Sequence, residues 1–459
     1  MTGSFGGLST ALSALRHHQV AMDVASGNIA NVDTPGYSRR RAVGETQGAS
    51  VVPALWSRQS ATGDGVTTAS VDRISDPFLT ARSRTENAYA NQLQTTASSL
   101  ARVEASMGEP RATALSGALD ALSSAWSELA SQPDEPAARL QVIAAGQAVA
   151  AGVNAQARAV ASEWTGQRGS AVQLTADVNA LATELAGVNR GLQSSVEGQG
   201  DPGLLDQRDL LTSRIAGLTG ATVTHQGDGT ATVTLGSATL VSGRTASTLA
   251  VSGAATIDGA ATDPVSFTVG GTAVTVPSGS LGATAQLLNT GLPTHLAALD
   301  TVVAGLVSVT NTAHQGGNDL SGASGGAFFS GTSAATLSVA ITDPAEVAAA
   351  DPSKADPAVP GSGTFDGGNA AALAALDIAS GYRTFVTAIG SQVSTTQRVA
   401  TTQAGLAAQV DASREAVSGV NKDEELIDLV TSQRSYEAAA RVLSTLDSVL
   451  DTLINRMAR

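Results

Sequence analysis

Gly322 to Gly326, "GASGG", come nearest in this sequence to a catalytic centre, since they fit the G-x-S-x-G pattern around Ser324. In that pattern a strand delivers the serine to a sharp turn, a helix leaves it, and a later histidine takes its proton. Here a helical pattern precedes the motif, a Gly/Ser-rich stretch follows, and no histidine occurs beyond His314. A secreted hydrolase would need Ser324 as nucleophile, whereas the context reads as a loop. Metal chemistry has no better support. His17 and His18 are adjacent, so on a helix they point about 100° apart and do not form an i, i+4 metal face. His225, His295 and His314 are scattered, and the chain has no cysteine, which excludes disulfides, thiolate metal sites and cysteine nucleophiles. Asp201, Asp206 and Asp209 cluster near a helix start, where carboxylates complement the dipole. The Gly-Asp-Gly and Gly-Ser-Gly segments lack the strand–loop–helix setting of a phosphate loop. No catalytic, cofactor-binding or metal residue is predicted, and the chain is not expected to be an enzyme.

What remains is the chemistry of packed surfaces. Leu8, Leu15, Met22 and Ile29 recur a heptad apart, and Leu12 and Ala25 widen the stripe. At the other end Leu426, Leu429, Tyr436, Ala440, Leu443, Leu450, Ile454 and Met457 form a second seam, with Gln433 and Asp447 as polar exceptions. Asn421 is a natural N-cap and Glu424 completes a capping box. Between Asn31 and Tyr37 the first helix meets Asp33, Thr34, Pro35 and Gly36. Asn31 is expected to cap the helix end, and Pro35-Gly36 suits the centre of a type II turn. Arg39, Arg40 and Arg41 read as a solvated face. A single amphipathic helix cannot bury its own stripe, so each terminal stripe needs the other or a neighbouring molecule. Closing nearly the whole chain costs on the order of 5 kcal/mol unless the middle already holds the ends close. Both ends are therefore expected to be poorly ordered until several subunits pack.

The composition agrees with an assembly role. The chain has 459 residues, enough for several domains, and 42% are hydrophobic but only 3% aromatic. Ala, Leu and Val thus carry the apolar content, which favours long thin helices. A net charge of −14 argues against nucleic acid. No stretch approaches the ~18 consecutive apolar residues of a membrane span, and the start lacks the basic region of a cleaved signal peptide.

The elements that position these stripes follow from periodicity. Helix is expected over 4–31, an extended segment over 36–76 with strands in "ASVVPALW" and "GVTTASVDRI", then helices around Tyr89–Met107 and Leu115–Leu129. Leu174, Val178, Leu181, Leu185, Val188 and Leu192 read as a coiled-coil seam, and "LLDQRDLLTSRIAGL" returns as the second arm of an αα-hairpin. Period-two patterns begin at 221, with a hairpin turn at Asp228-Gly229 and a second hairpin in "VSFTVGGTAVTVP". A helix over 283–314, a Gly/Ser/Pro-rich loop to about 370, and helix over 371–457 broken at "SGVN" complete the chain. The fold class is multidomain α+β, with long terminal helices forming a coiled-coil-like core. The expected division is a terminal helical domain from 1–35 and 419–459, a mainly helical domain from 36–217 and 283–418, and an inserted β domain at 218–282.

"NIANVDTPGYSRRR" resembles the N-terminal signature of the bacterial flagellar rod, hook and hook-associated proteins, and its TPGYSR form is most like the hook-associated members. "GLLDQRDLLTSRIAGLTGATVTHQGDGTATVTLGSATLV", "HQGGNDLSGASGGAFF", "FDGGNAAALAAL" and "SGVNKDEELIDLVTSQRSYEAAARVLSTLDSVLDTLINRM" resemble later landmarks of those members in the same order. Lys422 stands where the family usually has an apolar residue, and the β middle is short. The resemblance implies a structural protein exported unfolded through the flagellar type III apparatus, to an extracellular place in the flagellum. It implies a ring homo-oligomer at the distal hook end, joining the hook protein to the second hook–filament junction protein, with a cytoplasmic export chaperone as an earlier partner. A hook or rod subunit is the alternative. The expected assembly interface comprises Leu8, Leu12, Leu15, Met22, Ile29, Asn31, Thr34, Pro35, Gly36, Tyr37, Leu426, Leu429, Tyr436, Leu443, Leu450 and Ile454.

Overall fold

The computed structural model describes residues 2–47, 65–194, 201–354 and 363–457, and of residues 2–5 and 453–457 the backbone alone. The strand expected in "ASVVPALW" lies outside the described residues. The chain runs through α1 (Thr2–Ala30), the antiparallel hairpin of β1 (Arg40–Gln47) and β2 (Gly65–Arg73), then α2 (Pro77–Met107), α3 (Leu115–Ser131), α4 (Pro136–Ser194) and α5 (Pro202–Thr219). Short strands β3 (Thr222–His225), β4 (Ala231–Leu235), β5 (Ala238–Ser242) and β6 (Thr245–Ala246) form one antiparallel sheet. A second comprises β7 (Leu249–Ser252), β8 (Ser266–Val269) and β9 (Thr272–Val274). The return passes through α6 (Gly279–Gln286), α7 (Leu292–Gln315), the two-residue pair β10 (Phe329–Ser330) and β11 (Ser338–Val339), α8 (Gly368–Ala374), α9 (Ser380–Ser418) and α10 (Lys422–Met457).

Local sequence accounts for most boundaries. Asp76 caps α2 by accepting from the backbone N–H of Phe78 and Leu79, and Asp201 caps α5 by accepting from Gly203. The β8–β9 turn uses Gly270 and Gly271, both at positive φ (56° and 84°), as a two-residue primed turn requires. At the other hairpin Gly229 takes φ 81° while the Asp228 carboxylate accepts from Thr230, so the turn sits where Asp-Gly predicted it. In α3 the repeat Leu115, Leu119, Leu122, Trp126 and Leu129 is buried throughout.

Two hydrophobic cores divide the body. One gathers α3, the first half of α4, the end of α7, α8 and the start of α9. The other gathers the second half of α4, α5, both sheets, α6 and the start of α7. Helix α4, 59 residues long, serves both. Its seam is buried at Val178, Leu185, Val188 and Leu192, but a helix is only part of what covers it. Asn189 exchanges two hydrogen bonds with the backbone of Ala231, and Asn179 does the same with Leu249, each as a strand neighbour would. Heptad spacing specifies a buried stripe, not the kind of element that covers it.

The single helix expected over 283–314 is broken by a π turn at Leu287–Gly291. The widened turn releases groups that the second core uses. Asn289 bonds both the N–H and the C=O of Val265, and the buried Trp164 indole donates to the Leu288 carbonyl at 2.8 Å. The run from Gly279 to Gln315 is long and apolar enough for a membrane span by composition, yet Leu281, Leu288, Leu292, Leu299 and Val303 are buried in the protein's own cores. Likewise the Gly/Ser-rich region is no spacer, since Phe328, Phe329, Leu337, Ile341 and Val347–Ala350 are buried. A second break in the C-terminal helical run, between α8 and α9, was not legible in the periodicity.

Helices α2 and α9 lie antiparallel, joined by Ser83 and Asn87 on Asp411 and by Gln403 on Glu86. This pair brings residues 76 and 418 to one end of the body, so the loop-closure cost of uniting the termini is already met. There α1 and α10 pack together, with Gly7 against Leu446 and Asn28 against Glu425, which fixes an antiparallel pair. The hairpin β1–β2 lies along α1, where Ser13 accepts from Val66 N–H and His17 contacts Thr68 at 3.0 Å. The two ends thus find partners within one chain, in place of the expectation that they order only on assembly.

Candidate functional site

At the boundary between the terminal helix pair and the body, the segment from Asn31 to Arg41 meets the first turn of α10. Asn31 Nδ2 donates to the Gly27 carbonyl at 2.9 Å, closing α1. Tyr37 N–H then donates to Thr34 O at 3.1 Å across Pro35 and Gly36, with Gly36 at φ 83°, the type II turn the sequence predicted. A Cβ on Gly36 would stand 3.1 Å from Leu210 Cβ on α5.

Asn28, only 1% exposed, holds the turn from behind. Its Oδ1 accepts from Tyr37 Oη (2.8 Å) and Arg40 N (3.0 Å), and its Nδ2 donates to Arg40 O (2.8 Å) and Glu425 Oε2 (2.9 Å). Every hydrogen-bonding capacity of the amide is engaged. The other Glu425 oxygen accepts from Arg39 Nε at 2.5 Å, while Arg39 Nη1 and Nη2 reach Glu424 (3.0 Å) and Asp428 (3.3 Å). The Arg39 backbone donates to Ser418 O and accepts from Ile74 N–H, both at 2.8 Å.

On the body side Arg40 lies 5.0 Å over the Tyr37 ring and 3.5 Å from Asp206. Arg73 faces Asp206 at 2.7 Å and also grips Asp209, which in turn holds Arg208. Arg208 donates onward to the Gly229 carbonyl at the hairpin turn. Burial pushes the Asp206 carboxyl above its ordinary range against the pull of Arg73. Burial acts the same way on Asp209, but Arg73 and Arg208 together outweigh it and hold that carboxyl low. His225, near Asp209, is lowered to about 4 by burial and then by Arg208.

This arrangement corrects two readings. Arg39 and Arg40 are clamps, not a solvated face, and only Arg41 of the three is exposed. Asp206 and Asp209 are ion-pair partners of arginines across elements, and Asp201 alone serves the helix start. Glu424 goes to Arg39, while Asn421 does cap α10 by accepting from Asp423 N–H at 3.0 Å. Sequence reasoning missed Asn28, Arg73 and Glu425 as anchors. For two of them the available signal was a polar residue in an apolar stripe, since Asn28 falls three residues after Ala25 and Glu425 four before Leu429, each on the same helix face.

The expected interface residues separate into two sets. Leu8, Leu15, Met22 and Ile29 on α1 and Leu429, Leu443 and Leu450 on α10 are half-buried, whereas Leu12, Leu426 and Tyr436 are exposed. Asn31, Gly36 and Tyr37 are half-buried, and Thr34 and Pro35 are exposed. Ile454 lies in α10 beyond the described side chains. Ile427, Val430, Val442 and Val449 add to the exposed apolar face of α10.

The histidine nearest Ser324 in sequence is His314. His314 is fully buried, with Nδ1 on the Gly326 carbonyl and Nε2 accepting from Ala348 N–H, so both ring nitrogens are committed to backbone. Trp126 and Phe328 pack around it. Among the described residues no group of three or more metal-ligating side chains occurs.

Comparison with known proteins gives matches at both ends and in the middle. Residues 100–329, about half the chain, match the model of the flagellar hook-associated protein FlgK helical domain. Residues 8–37 match the flagella basal body rod protein model, and 414–457 the C-terminal model of the basal body rod FlgEFG proteins. The chain is 28% identical to flagellar hook-associated protein 1 of Bacillus subtilis over 513 aligned positions, covering 100% of this chain and 99% of that one. It is 24% identical to flagellar hook-associated protein 1 of Salmonella typhimurium, covering 98% of this chain and 99% of that one. Among solved structures, the flagellar hook junction protein FlgK from Burkholderia pseudomallei matches with a TM-score of 0.63 at 16% identity, over 74% of this chain and 100% of that one, a likeness of fold.

Proposed function

Because the chain belongs to the family of the flagellar hook-associated protein FlgK, we propose that it is the structural subunit joining the flagellar hook to the filament. The observation that carries the mechanism is the antiparallel α1–α10 pair, which turns its half-buried stripes inward and leaves Leu12, Leu426, Ile427, Val430 and Tyr436 exposed. A row of exposed apolar side chains on a charged helix is a surface for another copy or another axial subunit. The subunits form a ring at the distal hook end through these terminal helices. The ring meets the hook protein on one side and the second junction protein on the other. In this reading the terminal unit of α1, β1–β2 and α10 forms the ring, and the helical body, with which the sheets of residues 222–274 share a core, lies around it. The chain is exported unfolded through the flagellar apparatus, its C-terminal helix held beforehand by a cytoplasmic chaperone.

The rod-protein matches at both ends support a second reading, a hook or rod subunit. Electron microscopy of isolated hooks separates the two. Purified protein added before the downstream junction protein and flagellin is expected to cap the distal end and to permit filament growth only when included. Extension of the hook would favour the second reading, and indifference to hooks would end both.

A further inference from the structure

Two covalent connections cross from the body to the terminal unit of α1, β1–β2 and α10: Ile74–Asp76 and Gly419–Asn421. The main chain of Arg39 bonds to both sides, donating to Ser418 O and accepting from Ile74 N–H. Its side chain grips three carboxylates in the first turns of α10, while its neighbour Arg40, with Arg73, grips Asp206 and Asp209 on α5. Helices α1 and α10 pack on each other, and α1 on the hairpin, whereas the body is reached through this cluster of ion pairs, the hydrogen bonds of Ser38 to Asp206 and the Gly36–Leu210 contact.

We propose that Arg39 and Arg40 form a two-sided latch that sets the direction in which the terminal helix pair leaves the body. One side closes on α10 and the other on α5, so the angle at the α9–α10 joint is fixed within the isolated subunit before it meets any neighbour. Without the two guanidinium groups the terminal unit keeps its two single-chain connections, the Arg39 main-chain bonds, the Arg73 pairs and the Gly36–Leu210 contact, but loses the side-chain ties from the Arg39–Arg40 segment to the first turns of α10 and to Asp206. Glu425 is the central element of the α10 side because it is 2% exposed and shared between Arg39 and Asn28. A buried carboxylate held by two donors cannot leave one without stranding the other.

The absence of native cysteine makes the test direct. Spin labels at Thr395→Cys on α9 and Asp447→Cys on α10 report the angle across the joint. A second pair at Ser9→Cys and Ser444→Cys reports the α1–α10 pair itself. Double electron–electron resonance on the full-length monomer is expected to give a narrow distance for each pair. Arg39→Gln or Glu425→Gln should broaden or split the first distance and leave the second narrow, with the fluorescence of Trp126 and Trp164 in the body unchanged. Arg41→Gln, at the exposed neighbour, should change neither. The proposal fails if the first distance stays narrow in both variants, if it is already broad in the unmodified chain, or if the second distance is lost with it. The measurement uses monomer alone, so its outcome is independent of the hook assay.

Discussion

Asn28 is the residue on which the junction depends most. Its amide satisfies both backbone groups of Arg40, the Tyr37 hydroxyl and one oxygen of Glu425. Asn28→Ala strands those groups in a buried setting, and a loss of roughly 2–3 kcal/mol follows from the cost of unpaired buried polar atoms. Faster amide exchange across 28–41, with the body's exchange unchanged, is the expected readout. Gly36→Ala acts on the same turn by another route. It forces a Cβ into φ 83° and to 3.1 Å of Leu210, costing about 1–2 kcal/mol from the left-handed backbone alone. A thermal midpoint equal to that of the unmodified chain would count against both assignments.

At the scale of elements, the terminal pair and the body are separable packing units. Leu443 and Leu15 lie on the inner, half-buried stripes of α10 and α1. Leu443→Asp or Leu15→Asp should abolish ring assembly while the body keeps its thermal transition, checked by calorimetry beside electron microscopy. Loss of the entire transition would mean that the ends belong to one cooperative core. The π turn makes a second element-level prediction. Trp164→Phe keeps the ring in the second core but leaves the Leu288 carbonyl without its indole donor, a loss of about 1–2 kcal/mol, read as a lower melting midpoint.

Across the whole molecule, buried histidines link stability to pH. Burial lowers His225 to about 4 and also depresses His295 and His314 from 6.5. The unfolded chain therefore takes up these protons first, so the stability these neutral rings contribute is full above about pH 6.5 and is lost as pH falls toward 4. Asp206, raised by burial, works in the opposite sense near its own titration, while Asp209 and Glu163, held low by arginines, add further loss only in stronger acid. Denaturant midpoints should thus fall between pH 6.5 and 4.5, and His225→Gln should flatten part of that slope. In dilute monomer, residues 8–29 should show hydrogen-exchange protection, because α10 covers them within the chain.

What depends on neighbours a few residues away could be read along the chain. Helix periods, the Pro35-Gly36 turn, the Asn421 cap and the Asp228-Gly229 and Gly270-Gly271 hairpins all follow from local backbone preference and short-range hydrogen bonds. The order of motifs likewise carried the family resemblance. Which element covers a stripe, and which charges meet, is settled by the packing in three dimensions. Arg39 and Glu425 lie 386 positions apart, and Arg73 and Asp209 136 apart. No periodicity encodes such pairs, because their partners are set by where α2–α9 and α5 place the two ends in space. The π turn was partly legible, since Pro293 has no N–H for the Asn289 carbonyl and disfavours a regular helical turn before it, whereas the bonds that hold it, to the backbone of Val265 and from the indole of Trp164, come from distant segments.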